Sequence, residues 1–214
     1  MSYVKAGSIE LTLDELMKAM QAAGRSGNLP DPVLYQYYNN LAKRRILINE
    51  QICQDVVEYA ILPLLEMDND GTGEPIEIIL CTPGGSVFDG ITLCNVIDNL
   101  KTPTTITVIT YAYSMGSIIL MAGFNNPNVK KRCYKFSTAL IHSGSTYLEG
   151  NASSVKDQFN FNQEFEKLIR DYTLSHTRIT EKEYDKMERY EYYMTSDVML
   201  EKGLVDEIIG EQEQ

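Results

Sequence analysis

Predicted β-strands alternate with predicted helices in the first half of the chain, and this alternation constrains the fold more than any other sequence feature. Apolar runs typical of strands lie at residues 45–48, 76–81 and 105–110. Helical patterns lie between them, at about residues 49–67 and 87–100. Strands that are separated by helices pair in parallel, because a parallel connection has to cross over one face of the sheet. The sequence therefore predicts an α/β protein built from βαβ units.

Length and charge restrict the classes of function. With 214 residues, 43% of them apolar, the chain is long enough for one domain with a single large core and at most a small appendage. Nineteen Lys and Arg residues oppose thirty Asp and Glu residues, which gives a net charge of −11. This charge opposes binding to nucleic acid phosphates or anionic membranes, so neither partner is expected. No apolar run reaches the ~18 residues of a membrane-spanning helix, and the start of the chain lacks a leader pattern, which together predict a cytoplasmic protein.

The four cysteines do not have the spacing of a metal site. They lie in or beside apolar runs, without a CxxC motif or Cys/His ligand spacing: Cys53, Cys81, Cys94 and Cys133. Zinc sites need clustered thiolate and imidazole ligands, so no zinc site is predicted. The pattern indicates reduced thiols in the core of a protein from a reducing compartment, and we expect no metal and no other cofactor.

The first forty-odd residues differ in character from the rest of the chain. Thr12 and Glu15 have the T-x-x-E spacing of a helix capping box. The apolar residues around them recur at helical spacing and predict a short amphipathic helix: Leu13, Leu16, Met17 and Met20. A connector rich in Gly and Pro follows at residues 24–32. We therefore treat residues 1–44 as an N-terminal extension and residues 45–214 as the main domain.

Two loops that follow predicted strands are candidates for a functional site, because ligands of open α/β sheets bind at the carboxyl ends of the strands. The first loop, "CTPGGSV", contains Gly84 and Gly85, whose backbone N–H groups can turn toward a ligand. The second, "YAYSMG", places Ser114 at the first turn of an apolar helix, where the helix dipole favours negative charge. Taken singly, the first loop is also compatible with a tight turn, and Ser114 with an ordinary helix N-cap.

The chain has two histidines, and one of them closes a predicted strand. His142 ends the apolar run of "STALIHSG", a position from which its imidazole can reach the hydroxyl of Ser114 if both strands end at the same sheet edge. That contact is the geometry that a Ser–His nucleophile requires. His176 ends a long helix predicted at residues 152–176 and is interpreted as a helix cap.

Four separated motifs carry a family resemblance: "TPGGSV", "YSMGS", "ALIHSG" and "MTSDVMLEKGLVDEI". In this order they resemble the proteolytic subunit of the Clp protease, the ClpP family, from about residue 45 to residue 209. The resemblance implies an α/β, ClpP/crotonase-like fold of repeated ββα-type units with a protruding handle helix, here residues 152–176. It also implies a serine peptidase that hydrolyses peptide bonds of peptides or unfolded proteins inside a self-assembled chamber.

The resemblance implies a role for four residues of the candidate loops. On the family pattern Ser114 is the nucleophile and His142 is the general base. The backbone N–H groups of Gly85 and Met115 form the oxyanion hole, which stabilises negative charge on the substrate carbonyl oxygen. A glycine turn and a helix N-terminus supply these donors from the backbone alone.

The third member of the catalytic triad departs from the family pattern. The family has an Asp, whereas counting without a gap, forward from His142 or backward from Gly203, reaches Glu191. Its carboxylate is expected to orient the imidazole of His142 and to stabilise the imidazolium, although the extra methylene requires a backbone that lies farther away. Alternatively, Asp185, another acid or a backbone carbonyl orients His142. In that case Glu191 is interpreted as a residue of an interface.

The resemblance also implies partners. It predicts two stacked rings of seven identical subunits and an AAA+ Clp ATPase that unfolds substrates. Tyr190 stands where the family has an arginine at the ring contact, and Glu77 and Ile79 stand where it has tyrosines near the ATPase-docking pocket, so both contacts are expected to differ. An apolar stripe along the handle is predicted to lie between the rings: Phe161, Phe165, Leu168 and Tyr172.

Two other functions are compatible with the same residues. The chain could serve as a non-catalytic ring subunit, since the family includes paralogues without the triad, although it retains both Ser114 and His142. The second alternative is a crotonase-type acyl-CoA enzyme, which shares the fold and an oxyanion hole of two N–H groups. Such an enzyme does not need a Ser–His pair in these two loops.

Overall fold

A computed structural model describes Lys18, residues 32–187 and residues 190–210. The predicted amphipathic helix that begins near Thr12 lies outside these described residues, apart from Lys18. Within them, a mostly parallel sheet packs against helices, which confirms the predicted α/β class. No helix in the described ranges has both the length and the apolar character needed to cross a bilayer.

Seven strands form one sheet in the described part of the chain. Five of them pair in parallel in the order β1-β2-β3-β4-β7. The fifth strand, β5, pairs in parallel with the end of β3, and β6 pairs antiparallel with β5. The bounds are β1 Arg45–Ile48, β2 Ile76–Thr82, β3 Thr104–Tyr113, β4 Val129–Tyr134, β5 Thr138–Ile141, β6 Tyr192–Thr195 and β7 Glu207–Ile209.

Helices connect most of these strands. A π-helical turn, Val57–Ile61, continues directly into the second α-helix. The α-helices of the described residues are α1 Pro32–Ala42, α2 Leu62–Asn69, α3 Val87–Asp98, α4 Met115–Met121, α5 Ala152–Ser175, α6 Glu181–Met187 and α7 Ser196–Lys202. The sequence pattern predicted no helix between the connector and β1, and α1 lies there.

The core lies on one face of the sheet. Alternate residues of β2 are buried, among them Ile76, Ile78 and Leu80, and their neighbours along the strand are partly exposed. All seven residues of α4 are buried, as is typical of an apolar helix in the centre of a domain. Of the four cysteines, Cys94 and Cys133 are buried, whereas Cys53 is exposed, so the prediction of a core thiol is wrong for Cys53.

The helix predicted at residues 49–67 begins later than expected. Ile52, in its first turn by prediction, instead forms a bridge with Gly85. Its N–H donates to Gly84 O at 2.9 Å, and its carbonyl accepts from the N–H of Ser86 at 2.8 Å. These bonds hold the glycine loop against residues 50–52. The contact is between segments distant in sequence, which helical periodicity does not encode.

The helix α5 is the long handle that the sequence predicted. Its 24 residues correspond to a length of roughly 36 Å, and Thr173 is the one residue of the helix that is buried. The side chain of Asn151 caps its start by accepting from Ser154 N at 3.0 Å. Near its end, Tyr172 Oη donates to Asp98 Oδ2 at 2.8 Å, and His176 is the C-cap as predicted. The handle is therefore anchored to α3 at one end and exposed along most of its length.

Candidate active site

Ser114 occupies a strained turn between β3 and α4. Its φ and ψ angles are 53° and −121°, in a region that residues other than glycine rarely adopt. The backbone is held there from both sides, because Ser114 N donates to Leu140 O at 2.9 Å and Ser114 O accepts from Ser117 N at 2.9 Å. Strained residues that the surrounding structure fixes in this way are concentrated at functional sites.

The hydroxyl of Ser114 contacts His142 and caps no helix. The distance between Ser114 Oγ and His142 Nε2 is 2.9 Å. No side-chain hydrogen bond from Ser114 caps α4, although the residue stands at the N-cap position. The contact arises because β3 and β5 pair in parallel up to Tyr113 and Leu140, so the next residues of both strands leave the same sheet edge. The alternative of an ordinary N-cap serine is therefore not supported.

The glycine loop packs directly against the turn that carries Ser114. Gly84 and Gly85 have φ angles of +92° and +148°, which side chains disfavour. A Cβ atom on Gly84 would lie 2.8 Å from Met115 N and 2.8 Å from Ser114 Cβ. The structure thus brings the two predicted loops together, with backbone that only glycine can supply. Neither Gly85 N–H nor Met115 N–H donates to a backbone carbonyl within the described ranges.

A pocket of about 650 Å³ opens beside the Ser–His pair. One wall consists of Ser114, His142 and the first residues of α3 and α4, and the other is the inner side of the handle helix α5. Phe88 of α3 stacks on Phe165 of α5 with ring centroids 4.8 Å apart. This aromatic contact closes one side of the pocket, which can therefore accommodate an apolar side chain next to Ser114.

The four apolar residues of the predicted handle stripe are not all exposed, because two of them contact other parts of the chain. Phe165 is partly buried in the pocket against Phe88, and the hydroxyl of Tyr172 is bonded to Asp98 of the same chain. Leu168 and Phe161 remain 62% and 51% exposed. The handle therefore has a pocket side and a solvent side, and Leu168 belongs to the solvent side.

Glu191 lies close to the site in register but does not contact His142. In the antiparallel pair of β5 and β6, Ile141 is opposite Tyr192, so His142 and Glu191 follow one step beyond. The carboxylate of Glu191 accepts a hydrogen bond from Tyr193 Oη at 3.1 Å. Between these two described residues the structure shows no hydrogen bond or ion pair.

Asp185, the alternative acid, is engaged elsewhere. Its carboxylate lies 3.3 Å from the guanidinium of Arg170 on the handle, which also pairs with Glu181 at 3.5 Å. These ion pairs join α6 to α5. The position gives no support to Asp185 as the residue that orients His142.

Sequence reasoning missed one polar residue of the site. Ser117 is buried, and its Oγ lies 2.8 Å from Ser114 O and 2.9 Å from Leu140 O, so it fixes the turn behind the nucleophile. The available signal was the position of Ser117, three residues after Ser114. The sequence analysis treated Ser117 only as part of an apolar helix. In the described residues, no group of three or more His, Cys, Asp or Glu side chains is placed to hold a metal ion.

Comparison with known proteins shows the family of this chain. The family model described as Clp protease matches residues 30–212 of the chain. The chain belongs to the Clp protease family. The mixed α/β structure with its parallel sheet is consistent with the ClpP/crotonase-like fold, so the predicted fold and the predicted family are both confirmed.

Three relatives of this Clp protease family member are between 25% and 29% identical to it over the matched residues. It is 28% identical to the ATP-dependent Clp protease proteolytic subunit of Deinococcus radiodurans, over 83% of this chain and 86% of the relative. It is 29% identical to the ATP-dependent Clp protease proteolytic subunit of Borreliella afzelii, over 82% and 88% of the two chains. For the ATP-dependent Clp protease proteolytic subunit 1 of Salinibacter ruber, the identity is 25% over 83% and 75%.

Proposed function

We propose that the protein is a serine peptidase that hydrolyses peptide bonds of peptides or unfolded proteins. The observation that carries this proposal is the 2.9 Å contact between Ser114 Oγ and His142 Nε2, on a strained turn that faces a 650 Å³ pocket. Family membership supports it, because the Clp protease family is a serine peptidase family. No cofactor is needed for this chemistry.

The proposed reaction is acyl transfer in two steps. His142 accepts the proton of Ser114 as Oγ attacks the substrate carbonyl, and it then donates that proton to the leaving amine. Water attacks the acyl-enzyme in the second step, again with His142 as the base. The N–H groups of Gly85 and Met115 stabilise the oxyanion in both steps, and their lack of backbone acceptors supports that assignment.

A fluorophosphonate probe tests the proposal directly. Such a probe reacts with an activated serine, so it should label Ser114 in the wild-type protein and leave Ser114→Ala unlabelled. Ser153→Ala is the matched control, because Ser153 is an exposed serine at the start of α5 outside the pocket. Absence of labelling in wild type would favour a non-catalytic subunit.

A non-catalytic ring subunit is the second candidate. The observation that favours it is the carboxylate of Glu191, which bonds to Tyr193 and leaves His142 without the predicted acid. The crotonase-type alternative is not retained, because the family model that matches is that of the Clp protease.

Glu191 is proposed as the third member of the triad, and its replacement gives a testable result. Glu191→Gln should lower kcat by at least about tenfold, because an amide cannot stabilise the imidazolium of His142. Steady-state hydrolysis of a fluorogenic peptide measures the change, with the exposed Glu149→Gln as the control. A change below about threefold would remove Glu191 from the triad.

Two stacked rings of seven subunits and a Clp ATPase partner are proposed from the family alone. The relatives carry the words "ATP-dependent" and "proteolytic subunit" in their names, which supports a partner that consumes ATP. Residues 1–44 are proposed as an extension to the peptidase domain, although the family match begins at residue 30. The exposed solvent side of the handle supports a contact between subunits there.

Leu168 tests the ring contact. Leu168→Asp should split the assembly into smaller species, because a charge in an apolar contact is costly to bury. Sedimentation velocity at micromolar concentration measures the assembly. Gln163→Asp adds the same charge about 140° around the helix and should leave the assembly intact. A monomeric wild type would contradict the proposed chamber.

A further inference from the structure

The ribbon of β5 and β6 places the proposed acid between two partners. The ladder pairs Leu140 with Tyr193, and the same register sets His142 opposite Glu191. Residues that are directly opposite in an antiparallel pair project from the same face, as do alternate residues of one strand. Glu191 therefore has His142 across the ribbon and Tyr193 two residues farther along its own strand.

The carboxylate is bound to only one of these two partners. Tyr193 Oη donates to Glu191 Oε2 at 3.1 Å, whereas His142 Nε2 contacts Ser114 Oγ and the described structure has no bond from His142 to Glu191. The hydrogen bond and the negative charge of Glu191 raise the pKa of Tyr193 above its ordinary value. The phenol accordingly stays protonated at neutral pH and remains a donor.

Aromatic packing fixes the position of the Tyr193 ring. This ring forms a T-shaped pair with the ring of Tyr113, with centroids 5.8 Å apart and an interplanar angle of 86°. Tyr113 is itself held by a 2.9 Å hydrogen bond between its hydroxyl and Thr138 Oγ1, and it directly precedes Ser114. The hydroxyl that binds Glu191 is thus supported from the strand that carries the proposed nucleophile.

We propose that Tyr193 is a positioning residue that holds the Glu191 carboxylate away from His142 and keeps the triad incomplete. The inference rests on the proposed peptidase function of Ser114. When the bond to Tyr193 opens, rotation of the Glu191 side chain brings its carboxylate to the imidazole across the ribbon. Tyr193 and His142 compete for one carboxylate, so the fraction of molecules with a complete triad depends on the strength of the Tyr193 bond.

The competition is expected to be modest in size. Tyr193 is 57% exposed and Glu191 is exposed, so water replaces either partner easily. Removing the phenol hydroxyl should therefore change the population of the complete triad several-fold rather than by orders of magnitude. The ring of Tyr193 does not line the pocket, so substrate binding should not respond.

Tyr193→Phe is the variant that tests the inference. It removes the hydroxyl and keeps the ring against Tyr113, and kcat for a fluorogenic peptide should rise about three- to tenfold with KM unchanged. In a Glu191→Gln background the same change should have no effect on kcat, because the competition no longer exists. Tyr134→Phe, which removes a hydroxyl from an exposed tyrosine of β4 outside the pocket, is the matched control.

The outcomes separate this inference from the proposed function. An unchanged or lower kcat in Tyr193→Phe, with Ser114 still labelled by a fluorophosphonate, overturns the inference alone. A rise that persists in the Glu191→Gln background also overturns it, since Tyr193 then acts on the structure and not through the carboxylate. If neither wild type nor Tyr193→Phe is labelled or hydrolyses peptides, the proposed function and the inference are both overturned.

Discussion

Replacing Ser114 with alanine is expected to abolish peptide hydrolysis and to leave the fold and the assembly unchanged. The change removes Oγ, whose structural partner is His142, and keeps the Cβ atom and the backbone bonds to Leu140 and Ser117. Loss of a serine nucleophile costs about 10⁶-fold in kcat in a well-studied serine protease, and the remaining rate comes from binding and the oxyanion hole. A fluorogenic peptide assay measures turnover, and size-exclusion chromatography reports assembly.

The Ser153→Ala variant controls for serine replacement in general. It changes an exposed residue of the handle and should retain wild-type turnover and elution volume. Turnover in Ser114→Ala equal to that of wild type would contradict the serine-peptidase proposal. Loss of assembly in Ser114→Ala would instead show that the strained turn needs the hydroxyl, and the labelling experiment would then decide the function.

Gly85→Ala is expected to lower kcat by about 10²-fold or more, because it displaces an N–H that we assign to the oxyanion hole. A Cβ atom at this position would overlap the carbonyl oxygen of Ile52 and lie 2.9 Å from Ile52 N. The φ angle of +148° is also disfavoured for alanine. The loop therefore has to move away from Ile52, and the donor moves with it.

Gly71→Ala separates this displacement from backbone strain. Gly71 also has a positive φ, of +74°, but a Cβ atom there meets no atom within 4 Å. It should cost some stability and leave kcat unchanged, whereas Gly85→Ala should lower kcat even where thermal unfolding shows a folded protein. A kcat within about threefold of wild type in Gly85→Ala would exclude Gly85 from the oxyanion hole.

The strands were predictable because their burial pattern follows from the order of apolar residues within each short segment of the chain. In β2 every second residue is buried, and the apolar run at residues 76–81 reproduces all but the last residue of the strand. The handle helix was predicted to within one residue at its C-terminal end. The helix at residues 49–67 was not, since the bridge between Ile52 and Gly85 competes with helix formation and joins segments far apart in the chain.

The candidate site was predictable in its residues but less so in its contacts. Loop position and motif order together pointed to Ser114 and His142, and the parallel register of β3 and β5 then placed Ser114 Oγ and His142 Nε2 2.9 Å apart. Ungapped counting pointed to Glu191 and reached the residue that register sets opposite His142. Counting residues along the chain does not show where a side chain points. It therefore did not predict the hydrogen bond between Glu191 and Tyr193.

Local patterns of the chain were enough to establish the α/β class, the family and the residues that could act as nucleophile and base. They were enough because hydrophobic periodicity and motif spacing depend on neighbouring residues. Three features of the site were decided only by the tertiary structure: the strained φ angle of Ser114, the position of Phe165 on the pocket side of the handle, and the hydrogen bond between Glu191 and Tyr193. Each of these features depends on which of several competing contacts has the lowest free energy once distant segments pack together. A single stretch of sequence does not determine that free energy.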